Sequence, residues 1–97
     1  EETALTEETP VVNNAHVSVY PNPADNHVNF SFQDLNENEI ISMVMYDLSG
    51  REIISLSAAW VEIQNLFNND FVKANLGIYI LQIESATLHQ KIKLVKM

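Results

Sequence analysis

Few residues in this chain stand at spacings that could do chemistry. The stretch "DLNENE" comes nearest, because Asp34, Asn36 and Asn38 match the first three oxygen ligands of a calcium-binding loop. The pattern then breaks. Glu39 occupies the position where such a loop needs glycine for its sharp turn, and Met45 the position of the bidentate glutamate. The stretch therefore reads as a polar inter-strand loop. His16, His27 and His89 stand alone near expected strand starts, with no second ligand at short spacing, and read as surface or strand-end residues rather than metal ligands. "NFS" at Asn29 to Ser31 is a formal glycosylation sequon, but it lies inside an expected strand and is given no role. No serine sits in a nucleophile elbow, no glycine-rich loop can cradle a phosphate, and the chain has no cysteine. Thirteen acids leave carboxylate pairing in space open, yet no local signature of an active site accompanies them. The expectation is a protein that is not an enzyme and uses no metal or other cofactor.

The scaffold that must position whatever function exists is small. Ninety-seven residues make one domain, which buries roughly 60 to 65% of its unfolded surface and so builds a modest core without staples. The net charge of −8 argues against nucleic acid as a partner, since phosphate binding needs a basic face and only five Lys or Arg are present. The charge is uneven. Glu1 to Glu39 holds eight acids and no Lys or Arg, whereas His89 to Met97 holds Lys91, Lys93 and Lys96 and no acid. No stretch approaches the apolar length of a membrane span, and "EETALTEETP" lacks the basic-then-apolar order of a secretory signal and an initiator Met. The chain is expected to be the end of a longer protein, with residues 1–15 a solvated acidic linker and 16–97 the folded domain.

After the linker the period is two. "HVSVY" alternates, "HVNFSF" sets Val28, Phe30 and Phe32 on one face, and "IISMVMY", "REIISL", "GIYILQIE" and "QKIKLVK" continue the pattern. Further short strands are expected at Trp60 to Ile63 and Phe71 to Ala74, with Asn68-Asn69-Asp70 as a turn. The expected fold is all-β: an antiparallel, immunoglobulin-like β-sandwich of about seven strands with no long helix. In "VSVYPNPADN" the prolines Pro21 and Pro23 stop the first strand, having no N–H for a ladder. "DLSG" reads as a hairpin turn, with Asp47 accepting backbone hydrogen bonds and Gly50 taking the positive-φ position of a type I turn with a bulge. Gly77 precedes a strand apolar on both faces, Tyr79, Leu81 and Ile83 on one and Ile78 and Ile80 on the other, which marks a central strand. "LGIY" is reminiscent of a tyrosine corner, with plain core packing the alternative for Tyr79.

"VSVYPNPADNHVNF", "MVMYDLSGREI", "NLGIYILQI" and "KIKLVK" resemble, in order and spacing, the C-terminal sorting domain of proteins exported by the type IX secretion system of Bacteroidetes. The resemblance covers Val17 to Lys96. It implies an immunoglobulin-like sandwich that directs a folded upstream cargo through an outer-membrane translocon to the cell surface. There a sortase commonly removes the domain and attaches the cargo to lipopolysaccharide. The implied partners are the translocon, its shuttle proteins and that cell-surface sortase, and the implied location is secreted, by way of the periplasm and outer membrane. The family's Pro-x-Gly-x-Tyr element falls on Asn75, Leu76, Gly77, Ile78 and Tyr79, with Asn75 in the place of proline. Its closing Lys-apolar pattern falls on Lys91, Ile92, Leu94, Val95 and Lys96. The sorting-signal residues implied are Gly77, Tyr79, Lys91, Ile92, Lys93, Leu94, Val95 and Lys96.

Two functions compete on these residues. One is a sorting signal read by a secretion machine. The other is an adhesive or carbohydrate-binding module like the fibronectin type III domains, for which Trp60 and Phe67 are the available aromatics. Within the last strand, Ile92 and Leu94 are expected to face the core while Lys91, Lys93 and Lys96 stay exposed. Those lysines serve either recognition or protection of an edge strand against aggregation.

Overall fold

Among the described residues, the alternating stretches form six strands and one stretch with helical spacing forms a helix. The structure, a computed structural model, describes residues 15–36 and 38–97, so nearly all of the expected linker and Glu37 lie outside the described residues. The strands are β1 (His16–Tyr20), β2 (Asn29–Gln33), β3 (Ile40–Asp47), β4 (Glu52–Ala59), β5 (Gly77–Glu84) and β6 (His89–Lys96), and the helix, α1, is Trp60–Phe71. All strand pairs are antiparallel: β1 pairs with β2, and a second sheet has the order β4-β3-β5-β6. The strand expected to be central, β5, is flanked by β3 and β6.

The two antiparallel sheets pack as the expected β-sandwich, and one stretch within it differs. Trp60 to Ile63 and Phe71 to Ala74 form no strands, and Asn68 to Asp70 form no turn, because Trp60–Phe71 is a continuous helix. Ile63, Phe67 and Phe71 recur every four residues, which in a helix sets all three on one face, and all three are fully buried. Burying each is worth about 1.5–3 kcal/mol. A two-stranded sheet cannot cover a four-stranded one, and α1 completes the second layer.

The core lies between the layers. Ile41, Met43 and Met45 of β3, Leu81 and Ile83 of β5, and Leu94 of β6 meet Val17, Val28 and Phe30 from the smaller sheet. Phe67 bridges the layer, edge-on to Phe30 at 5.3 Å between ring centroids and stacked on Phe71 at the same distance.

The β3–β4 turn has the expected geometry. Gly50 N–H donates to the Asp47 carbonyl, Asp47 N–H donates to the Arg51 carbonyl, and Gly50 takes φ +90°. The register shift between Met45 and Tyr46 is the accompanying bulge. The Asp47 carboxylate accepts from the Ser49 hydroxyl and from the Ser49 and Arg51 N–H groups, so these bonds hold its pKa below the usual carboxylate value.

Candidate functional site

Parity divides the last strand into two sets of residues. Ile92, Leu94 and Lys96 face inward, while Lys91, Lys93 and Val95 face outward. Leu94 is fully buried and Ile92 packs against the core, as expected. Lys91 and Lys93 are exposed, also as expected.

Lys96 is not exposed. It is 3% accessible, and its ammonium donates to the carbonyls of Phe71 and Ala74 at 2.7 Å each and of Val72 at 3.3 Å. It also stands 5.0 Å from the centroid of the Phe71 ring. These carbonyls close the C-terminal end of α1, whose last turn has no basic residue of its own. Helix C-termini carry unpaired carbonyls and a partial negative charge, and Lys96 answers both from a different element. The lysine therefore joins the last strand to the helix, and Lys96 belongs to the fold rather than to the surface.

Gly77 and Tyr79 open β5. Gly77 has φ +155°, at the limit of the region that L side chains avoid, while a Cβ built there would touch nothing within 4 Å. Backbone conformation, not a close approach, is what asks for glycine here. Tyr79 is 6% exposed, and its hydroxyl donates to the Asn75 carbonyl at 2.5 Å, which is the bond of a tyrosine corner. The acceptor is main chain, so a carbonyl is present at this position whether the residue is proline or asparagine.

Strand edges are closed by amide side chains, each of which offers one donor and one acceptor side like a peptide group. Asn22 donates to the Lys93 carbonyl and accepts from Val95 N–H, while Ala24 N–H donates to the Val95 carbonyl and its own carbonyl accepts from Met97 N–H. The Tyr20–Pro21 and Asn22–Pro23 peptides of this loop are cis. The "PNPA" interruption thus ends β1 and lays its backbone along the free edge of β6. Gln90 similarly holds the N–H and carbonyl of Val17 in β1. On α1, Asn68 holds both groups of Val28 and Gln64 accepts from Phe30 N–H, which closes β2. None of these amides stands out in sequence. For Gln90 the one signal is its inward parity beside Ile92, and for Gln64 and Asn68 it is their i, i+4 spacing.

At the β5–β6 turn, Glu39 accepts from the Ser85 hydroxyl and from the hydroxyl and N–H of Thr87. The Ser85 bond and then the Thr87 bond lower its pKa, partly opposed by burial. The histidines remain apart: among the described residues no group of three or more His, Cys, Asp or Glu could hold a metal. No helix among the described residues is long and apolar enough to cross a membrane.

The aromatics of the binding-module reading do not form a surface platform. Phe67 is fully buried between Phe30 and Phe71 on α1, not in a loop. Trp60 is half-buried, stands edge-on to Phe32 at 5.3 Å, and leaves its buried indole N–H without a partner.

Comparison with known proteins agrees with this arrangement. The family model described as the secretion system C-terminal sorting domain matches residues 18–97. The chain belongs to that family. The match takes in the loop that closes β6, the Gly77–Tyr79 corner and the whole of the last strand. A search of curated proteins found no match. As a type IX sorting domain, the chain is part of a secreted protein exported across the outer membrane, and its role is that of a sorting signal served by the type IX machinery.

Proposed function

We propose that this sorting domain carries an upstream cargo through the type IX outer-membrane translocon by presenting the outward side of β6 to the secretion machinery. After passage, a cell-surface sortase removes the domain and attaches the cargo. The domain acts by being recognised and performs no catalysis of its own. Lys91 and Lys93 are the recognised charges. Gly77, Tyr79, Ile92, Leu94 and Lys96 serve recognition indirectly, by holding β6 in place.

One observation carries this reading over edge protection. Lysines guard a strand edge when its backbone groups are open to another chain. From the Lys93 carbonyl to the Met97 N–H the β6 edge is already occupied by Asn22 and Ala24, so that stretch needs no charged guard. Two exposed ammonium groups on an otherwise acidic chain then remain available to a partner. We place removal of the domain within residues 1–15, because the strands beyond are tied into ladders that deny a protease the extended backbone it needs.

The test is a fluorescent reporter fused ahead of residue 1 and expressed in a type IX-competent host. The proposal expects reporter at the cell surface or in the medium, with its new C-terminus inside residues 1–15. Reporter that stays in the periplasm as an intact, folded fusion contradicts it.

A further inference from the structure

The four-stranded sheet has one covered apolar face and an outer face on which an apolar patch stands among polar residues. Its inner residues, Met43 and Leu81 among them, are fully buried under β1, β2 and α1. On the outer face Val44, Tyr46, Ile78, Ile80 and Val95 form a continuous patch across three strands. The register sets Tyr46 beside Ile80 and Ile78 beside Val95. Ile78 is 40% exposed, the others are half-buried, and none of the five packs against the core. Among the described residues no helix or strand lies over them. A solvated face of an antiparallel sheet is ordinarily polar, as this one is at Ser42, Ser55, Ser57 and Gln82, and the five apolar residues depart from that.

Charge runs across the same face. Lys91 pairs in register with Gln82, and Lys93 with Ile80, which places both ammonium groups along the β6 side of the patch. Neither lysine is in an ion pair among the described residues, whereas Arg51 is held by Asp47. On the opposite side Glu52 stands beside Tyr46, and Glu84 and His89 close one end.

We infer that this outer face is the docking surface, and that its partner is a folded protein presenting an apolar patch bordered by carboxylates where it meets β6. The inference rests on the sorting reading and extends it from one strand to a face. Complementarity fixes the partner's chemistry: two unpaired cations beside the patch call for anions, and the exposed apolar side chains call for a shaped apolar surface. An anionic membrane fits worse, because surface attachment takes about four to eight clustered basic residues and this chain carries a net charge of −8.

The test uses the reporter fusion with the intact chain and with two variants. Ile78→Thr/Ile80→Thr removes apolar surface but keeps strand propensity, and Gln82→Glu adds a carboxylate beside Lys91, giving up the exposed hydrogen bond from Gln82 to Glu84 but leaving the core intact. Melting of each purified chain is measured alongside. The expected result is export of the intact fusion, a cooperative unfolding transition retained in both variants, and a fall of about tenfold or more in their exported fraction. Failure of the intact fusion to leave the periplasm overturns the sorting reading itself. Normal export of both folded variants overturns the docking face and leaves the sorting reading standing. Sedimentation of the intact chain with phosphatidylglycerol vesicles, lost in Lys91→Gln/Lys93→Gln, assigns the face to a membrane and overturns the protein partner. If the threonine variant does not fold, Gln82→Glu decides alone.

Discussion

Replacing Lys96 with methionine tests whether the last strand holds the helix in place. Methionine keeps most of the apolar stem and removes the ammonium, so the change isolates the three hydrogen bonds and the ring contact. The Phe71 carbonyl still accepts from Ala74 N–H, whereas no other described donor reaches the carbonyls of Val72 and Ala74. Orphaning a partly buried carbonyl costs about 1–3 kcal/mol, and losing the cation over Phe71 costs roughly 0.5–2 kcal/mol more. Release from the desolvation of a buried ammonium opposes these losses, so the net is about 3 kcal/mol. For a domain of this size about 4–8 °C of melting temperature corresponds to each kcal/mol, so Lys96→Met is expected to melt roughly 12–24 °C below the parent. Thermal unfolding followed by circular dichroism reads this directly, with Lys93→Met as the exposed control, expected within about 0.5 kcal/mol of the parent. If Lys96→Met melts like that control, the ammonium does not hold the helix end, and the assignment of Lys96 to the fold is wrong.

Other perturbations bear on separate parts of the structure. Tyr79→Phe removes only the bond to the Asn75 carbonyl and is expected to cost about 1 kcal/mol in urea unfolding, while Gly77→Val is expected to cost at least about 1 kcal/mol through backbone strain. Asn68→Leu leaves both backbone groups of Val28 without a partner and is expected to cost about 2–4 kcal/mol, despite leucine's better helix propensity; equal or greater stability would refute the edge-closing role. Glu39 has a folded-state pKa below its unfolded one, so its contribution is complete above the unfolded value, about 4.3, and is lost as pH falls through the folded value. The stability difference between the parent and Glu39→Gln, measured at pH 7, is therefore expected to close under acid conditions and not at alkaline pH.

Much of the fold was legible because period-two alternation is a direct consequence of strand geometry. The turn at Asp47 to Gly50 was legible because it depends on local residue chemistry, whereas the tyrosine corner stood beside core packing as an alternative for Tyr79 until the bond to the Asn75 carbonyl was seen. Helix α1 was harder. Its apolar residues Trp60, Ile63, Phe67 and Phe71 follow helical spacing, but Asn68, Asn69 and Asp70 have turn composition, and the reason for an asparagine at 68 lies forty residues away at Val28. Lys96 was misread through residue type. Its parity with Ile92 and Leu94 places it inward, and only the carbonyls at the end of a helix explain why a lysine is tolerated there. The closing of the β6 edge by Asn22 and Ala24 could not be read locally at all, since it joins segments at opposite ends of the domain.

The account's central claim is a division of labour within β6, with inward residues building the fold and outward lysines being recognised. The most direct measurement pairs the melting temperature with the exported fraction of the reporter fusion for Lys91→Gln/Lys93→Gln, with the intact fusion beside it. The account predicts melting indistinguishable from the parent, since exposed charges contribute little to stability, together with reporter retained in the periplasm. A fusion that is folded and exported at the parent level would contradict it.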